Sequence, residues 1–211
     1  GIYADGKTDF SGNATMITGN VAASGGGMYV ASSSQSRAVT LTLARLSGNS
    51  AEKGGQLYVG GVMSAGGALT VTGEKTETGG SVYVADARTL TVTGGLTLTG
   101  SVSLPSGGLK FPEDLTDVTA DVRVLPRISA AGDFTVATFA GSADTRAVKA
   151  KAWDGTRERA CSLSEDGKRL YVAVITLATD SGATMLPTDG DGRTLPELPA
   201  AEGKRALGWR A

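Results

Sequence analysis

The chain has 211 residues, of which 20 are basic and 21 acidic, so its formal net charge is −1. This balance argues against a nucleic-acid-binding surface, which would need an excess of lysine and arginine. Histidine is absent from the sequence, which excludes Ser-His-Asp and Cys-His catalysis and the usual zinc sites. No cofactor or metal is expected. The single cysteine, Cys161, has no disulfide partner in the chain, and no apolar run is long enough to predict a membrane-spanning helix.

A repeated unit recurs from the start of the chain to Val84. Each copy contains Ser or Thr followed by Gly, usually then Asn, and it ends with Gly-Gly and a strand of the form apolar-Tyr-Val. The copies are residues 18–30, 47–59 and 72–84, and an earlier one is represented by its tail, residues 1–4. The tyrosines therefore fall at positions 3, 29, 58 and 83. A period between about 20 and 50 residues predicts the stacked coils of a solenoid, and the abundant glycine favours a β-solenoid over a helical one.

Alternation within the strands predicts which side chains face the core. In each apolar-Tyr-Val strand, the residues on either side of the tyrosine are expected to point into the core. The tyrosines are expected to point outward and to stack on one another. The expected core residues are Met28, Val30, Leu57, Val59, Val82 and Val84. The corner glycines are expected at positive φ, and the corner asparagines Asn13, Asn20 and Asn49 are expected to form a hydrogen-bonded ladder. The predicted fold is all-β, a right-handed parallel β-helix through about residue 110 with a C-terminal β cap.

The pattern changes after the repeats. Residues 111–176 are predicted to be terminal coils or a β cap, because an open solenoid end would expose unpaired backbone. The Asp154-Gly155 and Asp166-Gly167 pairs predict hairpin turns. Residues 177–211 are predicted to be a linker and a partial β-grasp-like repeat, with residues 180–195 as a loop. Because residue 1 falls in mid-repeat, we expect preceding coils and a larger multidomain chain.

The corner motif and the Gly-Gly strand together resemble the repeats of chlamydial polymorphic outer-membrane proteins and related β-helical surface adhesins. Those repeats pair F-x-x-N with G-G-A-[I/L/V]. The first tetrapeptide is intact at residues 10–13, whereas the second lacks its Ala at residues 26–29, 54–57 and 79–82. The resemblance covers roughly residues 1–84, and it implies an extracellular β-helical passenger with an adhesive or stalk role.

The C-terminal segment, residues 194–209, is similar to the internalin-type B-repeat, a small β-grasp module of Gram-positive surface proteins. That family carries L-P-x-x-P followed by G-apolar-G-W, and it continues for about as many residues again. The matching residues are Leu195, Pro196, Pro199, Gly203, Leu207, Gly208 and Trp209. This resemblance implies a multidomain cell-wall or secreted bacterial protein, with residues 174–177 as the first strand of the module.

Two kinds of exposed ladder are candidate binding surfaces. Tyr29, Tyr58 and Tyr83 are predicted to present a ladder that either stacks sugar rings or stacks only on itself. Threonines in T-x-T pairs could share one flat face, as in β-helical ice-binding proteins, or could simply be exposed strand residues. The candidate threonines are Thr40, Thr42, Thr70 and Thr72.

These features predict an extracellular structural or adhesive module at the bacterial cell surface, without catalytic activity. Its partners would be host surface proteins or glycans, and neither nucleic acid nor membrane insertion is expected. One alternative is a carbohydrate-active β-helix that binds or cleaves polysaccharide, which would need convergent carboxylates on one face. A further alternative is ice binding through a face that carries all four candidate threonines.

Overall fold

The computed structural model describes residues 1–10, 15–31, 38–42, 44–66, 69–75, 78–93, 96–112, 118–126, 134–141, 148–153, 157–179 and 182–187. All regular secondary structure in these residues is β. In chain order the strands are β1 Ile2–Ala4, β2 Thr8–Phe10, β3 Thr15–Thr18, β4 Met28–Val30, β5 Val39–Thr42, β6 Ala44–Ser47, β7 Leu57–Val59, β8 Met63–Gly66, β9 Leu69–Thr72, β10 Val82–Val84, β11 Thr89–Val92, β12 Leu96–Leu104, β13 Gly108–Phe111, β14 Val118–Pro126, β15 Phe134–Phe139, β16 Val148–Trp153, β17 Glu158–Ala160, β18 Ser162–Leu163, β19 Arg169–Val172, β20 Val174–Thr179 and β21 Gly182–Pro187.

The strands stack in parallel, one coil upon the next, to form a β-solenoid. The first sheet runs β1-β4-β7-β10-β12-β14-β16-β17, and a second row, β3-β6-β9, joins it through β12. The second sheet runs β18-β19-β15-β13-β11-β8-β5-β2. Each early coil therefore contributes three strands: one to the row β1-β4-β7, one to the row β3-β6-β9, and one to the second sheet. The predicted all-β parallel solenoid is confirmed.

Three corner loops, residues 19–27, 48–56 and 73–81, connect the rows of the first sheet. Residues 76–77 of the third loop lie outside the described part. The loops stack through backbone hydrogen bonds: Gly25 N donates to Lys53 O at 2.9 Å, and Gly54 N donates to Gly79 O at 2.9 Å. The distance in sequence from the first glycine of a loop to the following tyrosine is the same in all three coils, because stacking fixes this part of the coil.

In the next coil, the corner contracts to a single glycine. Gly100, with φ of 106°, lies within the continuous strand β12, which pairs with β9 through its first half and with β10 through its second. A Cβ at this position would lie 2.7 Å from the Gly73 carbonyl oxygen. Glycine is therefore required by both the backbone angle and the close approach of the preceding coil.

The core is a continuous column of aliphatic side chains. Every residue predicted to face inward from the apolar-Tyr-Val strands has 0% relative exposure, which confirms the parity; these are Met28, Val30, Leu57, Val59, Val82 and Val84. The second sheet adds Val39, Leu41, Met63 and Leu90, which are also buried. Burying each such side chain contributes roughly 1.5–3 kcal/mol before conformational entropy is subtracted.

The C-terminal end changes from parallel to antiparallel pairing. Strand β17 pairs antiparallel with β16, and β19 pairs antiparallel with β15. The turn predicted at Asp166-Gly167 joins β18 to β19, with Gly167 at φ 69°. The other predicted turn, Asp154-Gly155, lies outside the described residues. Short antiparallel hairpins thus cover the edges that the last parallel strands would otherwise expose.

One part of the predicted C-terminal loop is a strand. Strand β21 pairs antiparallel with β20, from Val174 opposite Pro187 to Thr179 opposite Gly182. The loop prediction over residues 182–187 is therefore wrong, because these residues find a partner strand close by in sequence. The rest of that loop, and the segment that resembles a B-repeat, lie outside the described residues.

Candidate binding surfaces

Four tyrosines form a stacked column on the first sheet. Strands β1, β4, β7 and β10 pair in register, which places Tyr3, Tyr29, Tyr58 and Tyr83 one above another. Their ring centroids are separated by 5.4, 4.5 and 5.0 Å, and neighbouring rings are within 13° of parallel. The predicted stacking of Tyr29, Tyr58 and Tyr83 outside the core is confirmed, and Tyr3 extends the column by one ring.

Stacking determines what this tyrosine column can offer a ligand. Both faces of Tyr29 and Tyr58 are covered by neighbouring rings, so a sugar ring would meet only their edges and hydroxyl groups. Tyr3, at the end of the column, is 69% exposed. Burial raises the pKa of the Tyr58 phenol, and the neighbouring Tyr29 and Tyr83 add to the effect. The Lys53 ammonium lies 5.6 Å from the centre of the Tyr83 ring, a cation–π contact across coils.

The four candidate threonines lie on two different sheets. Thr40 and Thr42 belong to β5 in the second sheet, whereas Thr70 and Thr72 belong to β9 in the first. The alternative in which all four share one flat face, on which ice binding would depend, is therefore wrong. The sequence showed that each T-x-T pair alternates correctly, but it could not show that consecutive alternating strands are separated by a bend of the coil.

A different set of hydroxyl side chains does align on the first sheet. Thr18 pairs with Ser47, Ser47 with Thr72, and Thr72 with Thr99, so one hydroxyl column runs through four successive coils. Parallel strands are about 4.8 Å apart, which sets the spacing along this column. The position two residues before each of these carries Met16, Arg45, Thr70 and Thr97. A paired threonine array therefore extends over only two coils.

The second sheet carries a column of polar side chains that includes one acidic residue, Asp9, and one basic residue, Lys110. Thr40 pairs with Asp9 on one side and Ser64 on the other, and the column continues through Thr91, Lys110 and Thr138. Outward positions on this face are thus polar across six strands. Thr42 pairs instead with Gly66, which interrupts a second column of hydroxyl groups.

The corner asparagines form the predicted ladder, and a buried glutamine completes it. Asn20 N and Asn20 Nδ2 both donate to Asn49 Oδ1 at 3.0 Å, and Asn49 Nδ2 donates to Ile17 O at 2.7 Å. Gln56 Oε1 accepts from Asn49 Nδ2 at 2.7 Å, while Gln56 Nε2 donates to Asn49 O at 2.8 Å. Asn49 and Gln56 are buried, at 7% and 5% exposure. Asn13, the remaining predicted member, lies outside the described residues.

An ionic and aromatic cluster near the C-terminal cap was not foreseen. The Arg123 guanidinium stacks 3.8 Å from the Trp153 ring centre. Glu158 lies 3.5 Å from Arg123 Nε and 3.4 Å from Lys151 Nζ, although the Arg123 contact lacks hydrogen-bond geometry. Farther along β14, Lys75 Nζ pairs with Asp121 Oδ1 at 2.9 Å. The strands that supply the neighbours of Arg123 and Asp121 are determined by the stacking of coils that are distant in sequence.

Acidic groups are dispersed in the part of the chain that the structure describes. No three Cys, Asp or Glu side chains within it come together as a possible metal site. The same residues include no helix with the length and hydropathy needed to cross a membrane.

No model of a protein family matches this chain. No curated protein and no solved structure matches it either.

Proposed function

We propose that this protein is an extracellular structural and adhesive module of a bacterial surface protein. The proposal rests chiefly on one observation: an uncharged hydroxyl column, formed by Thr18, Ser47, Thr72 and Thr99, runs along a rigid solenoid. Evenly spaced hydroxyl groups on a rigid backbone suit an extended ligand that contacts several coils at once. Many weak contacts of this kind add up through multivalency.

The same geometry favours hydrogen bonding over ring stacking. Thr72 is exposed and Thr99 is half-buried, so their hydroxyl groups are accessible at the surface. The tyrosine column, in contrast, has most of its ring faces covered by neighbouring rings. Glycans carry dense, regularly repeated hydroxyl groups and are the ligand class that we favour, with host surface proteins as the other.

The experiment is a glycan array combined with a binding assay on host cells, using the protein and two double variants. Thr72→Val with Thr99→Val removes two hydroxyl groups from the first-sheet column but keeps β-branched side chains. Thr89→Val with Thr91→Val is the matched control on the second sheet. Each lost hydrogen bond costs about 1 kcal/mol, so the first variant should bind tenfold or more weakly, while the control is unchanged.

Two results would count against the proposal. Blank screens with the unmodified protein would remove the adhesive role and leave only that of a spacer. Saturable binding that both double variants retain equally would show that the hydroxyl column does not carry it. Circular dichroism of both variants would establish that the fold is intact.

A further inference from the structure

The tyrosine column holds the phenol rings of successive coils face to face. The ring centroids of Tyr29 and Tyr58 are 4.5 Å apart and the rings are within 5° of parallel, while those of Tyr58 and Tyr83 are 5.0 Å apart and within 7°. The strands that carry these residues pair tyrosine with tyrosine, so the backbone fixes each ring over the next. Tyr58 has a tyrosine neighbour on both sides, and this arrangement is therefore independent of where the solenoid begins or ends.

The hydroxyl group distinguishes the rings of this column from the other aromatic rings of the chain. A phenylalanine ring would stack equally well, yet the four phenylalanines all lie elsewhere, and four of the five tyrosines lie in the column. A phenol can be oxidised by loss of one electron and one proton far more readily than a benzene ring. Tyr29, Tyr58 and Tyr83 are half-buried, which leaves their edges and hydroxyl groups within reach of an oxidant.

Stacking is also the geometry from which two oxidised phenols couple. The unpaired electron of a phenoxyl radical occupies a π orbital that is perpendicular to the ring and has high density at the carbons ortho to the oxygen. In stacked rings these orbitals point at one another, so a bond between two ortho carbons can form from face-to-face contact. Because both rings belong to one chain, this step is intramolecular, which favours it over coupling between separate molecules.

We propose that the tyrosine column is a site of oxidative cross-linking, at which a haem peroxidase with hydrogen peroxide, acting as a one-electron oxidant, joins Tyr58 to Tyr29 or to Tyr83 as dityrosine. Each phenol gives one electron to the oxidant and its hydroxyl proton to solvent. The two radicals join through a bond between their Cε atoms, and the hydrogen on each of these carbons moves as a proton to the ring oxygen, which restores both phenols. The two electrons and two protons reduce one hydrogen peroxide to two waters.

Such a cross-link ties neighbouring coils together covalently. A bond between Tyr29 and Tyr58 closes the loop of residues 29–58, and a bond between Tyr58 and Tyr83 closes the loop of residues 58–83. Like a disulfide, the link restricts the unfolded chain, so the melting temperature should rise by at least about 4 °C. This proposal goes beyond the adhesive role and does not depend on it, because it concerns the phenol rings and not the hydroxyl column.

The test is treatment of the full chain with a haem peroxidase and hydrogen peroxide, followed by isolation of the monomer and digestion with trypsin. Cleavage after lysine and arginine places the three tyrosines in separate peptides, which are residues 8–37, 54–75 and 76–88. We expect dityrosine fluorescence in the monomer. Mass spectrometry should find the middle peptide joined to one of the other two, with the loss of two hydrogen atoms. Every protein in the comparison carries Tyr3→Phe, so that coupling between Tyr3 and Tyr29 does not contribute to the signal.

Two further variants test the location. Tyr58→Phe keeps a ring in the column but leaves Tyr29 and Tyr83 without a tyrosine neighbour, so the dityrosine yield of the monomer should fall at least about tenfold. Tyr171→Phe is the matched control, because Tyr171 lies on the second sheet, where its ring contacts the Arg169 guanidinium, and the yield should be unchanged. Equal yields from the two variants, or dityrosine formed only between molecules, would overturn the proposal. A cross-linked monomer that melts at the same temperature as the untreated protein would show that the coils are not tied together.

Discussion

Truncation of Asn49 should destabilise the solenoid far more than truncation of Asn20, although both residues belong to the same ladder. In Asn49→Ala the Ile17 carbonyl loses its donor at 2.7 Å, Asn20 N loses its acceptor at 3.0 Å, and Gln56 Oε1 loses one of its two donors. These groups lie in or beside a buried corner, where each lost hydrogen bond costs about 1 kcal/mol or slightly more. We expect a loss of about 3 kcal/mol in the free energy of unfolding, the sum over three such bonds.

Asn20→Ala provides the matched comparison. Its Nδ2 bonds to Thr18 O at 3.0 Å in an exposed position, and Asn49 Oδ1 keeps a donor because Asn20 N remains. The expected loss in the free energy of unfolding is about 1 kcal/mol, because water can hydrogen-bond to the exposed groups that the Asn20 side chain leaves unpaired. Both variants would be unfolded in urea and followed by far-UV circular dichroism, with the dependence on denaturant unchanged. Losses equal within about 0.5 kcal/mol would refute the idea that the buried amide network distinguishes the two corners.

Three further outcomes can be checked with the same unfolding assay. Gly25→Ala should lower the free energy of unfolding at least twice as much as Gly19→Ala. Both residues have positive φ, but a Cβ on Gly25 would lie 2.6 Å from a backbone oxygen, whereas a Cβ on Gly19 would meet open space. Equal losses would mean that the backbone near Gly25 moves aside without loss of stability. Tyr58→Ala removes two ring contacts and Tyr3→Ala removes one, so losses of about 2 and about 1 kcal/mol are expected, and a larger loss for Tyr3→Ala would contradict the stacking argument. Burial raises the pKa of the Cys161 thiol to about 12, so it should react with Ellman's reagent at pH 8 only after unfolding. Because the unfolded thiol ionises near pH 8.5, the stabilisation from the neutral thiol should be complete below that pH, and wild type should lose stability relative to Cys161→Ala by up to about 1.4 kcal/mol per unit as pH rises toward 12; a pH-independent difference would contradict this.

The sequence was sufficient to predict those parts of the fold that repeat. Met28, Leu57 and Val82 recur at equivalent positions, so the same inward-facing residue could be predicted in each of these three coils. All three side chains are buried, which confirms the prediction. The asparagine ladder was predictable for the same reason. Its buried partner Gln56 was not, because its counterparts in the other coils are Gly27 and Ser81, and no repetition marked the position.

The idea of a shared threonine face failed because a repeated sequence pattern does not show which sheet each strand joins. Thr42 and Thr72 look equivalent in their local sequence, and both end an alternating strand before a bend. Which sheet a strand joins depends on how many bends precede it in the coil, and this is decided by contacts with the coils on either side. The cluster of Arg123, Trp153 and Glu158 depends in the same way on strands that pair at a distance.

The constant distance in sequence from each corner glycine to its tyrosine has a consequence for how such a chain can change in length. The remaining part of each coil, from a tyrosine to the next corner, covers positions 3–19, 29–48 and 58–73, and all of the variation in period lies in these segments. An insertion between Gly48 and Tyr58 would shift the hydrogen bonds to both neighbouring loops and turn a tyrosine toward the core. An insertion of the same size in the turn between β7 and β8, residues 60–62, would lengthen one coil and leave its strands in register with their neighbours. Each coil therefore combines a corner that is closed to insertions and deletions with a turn between strands that is open to them, and a foreign peptide for display belongs in such a turn.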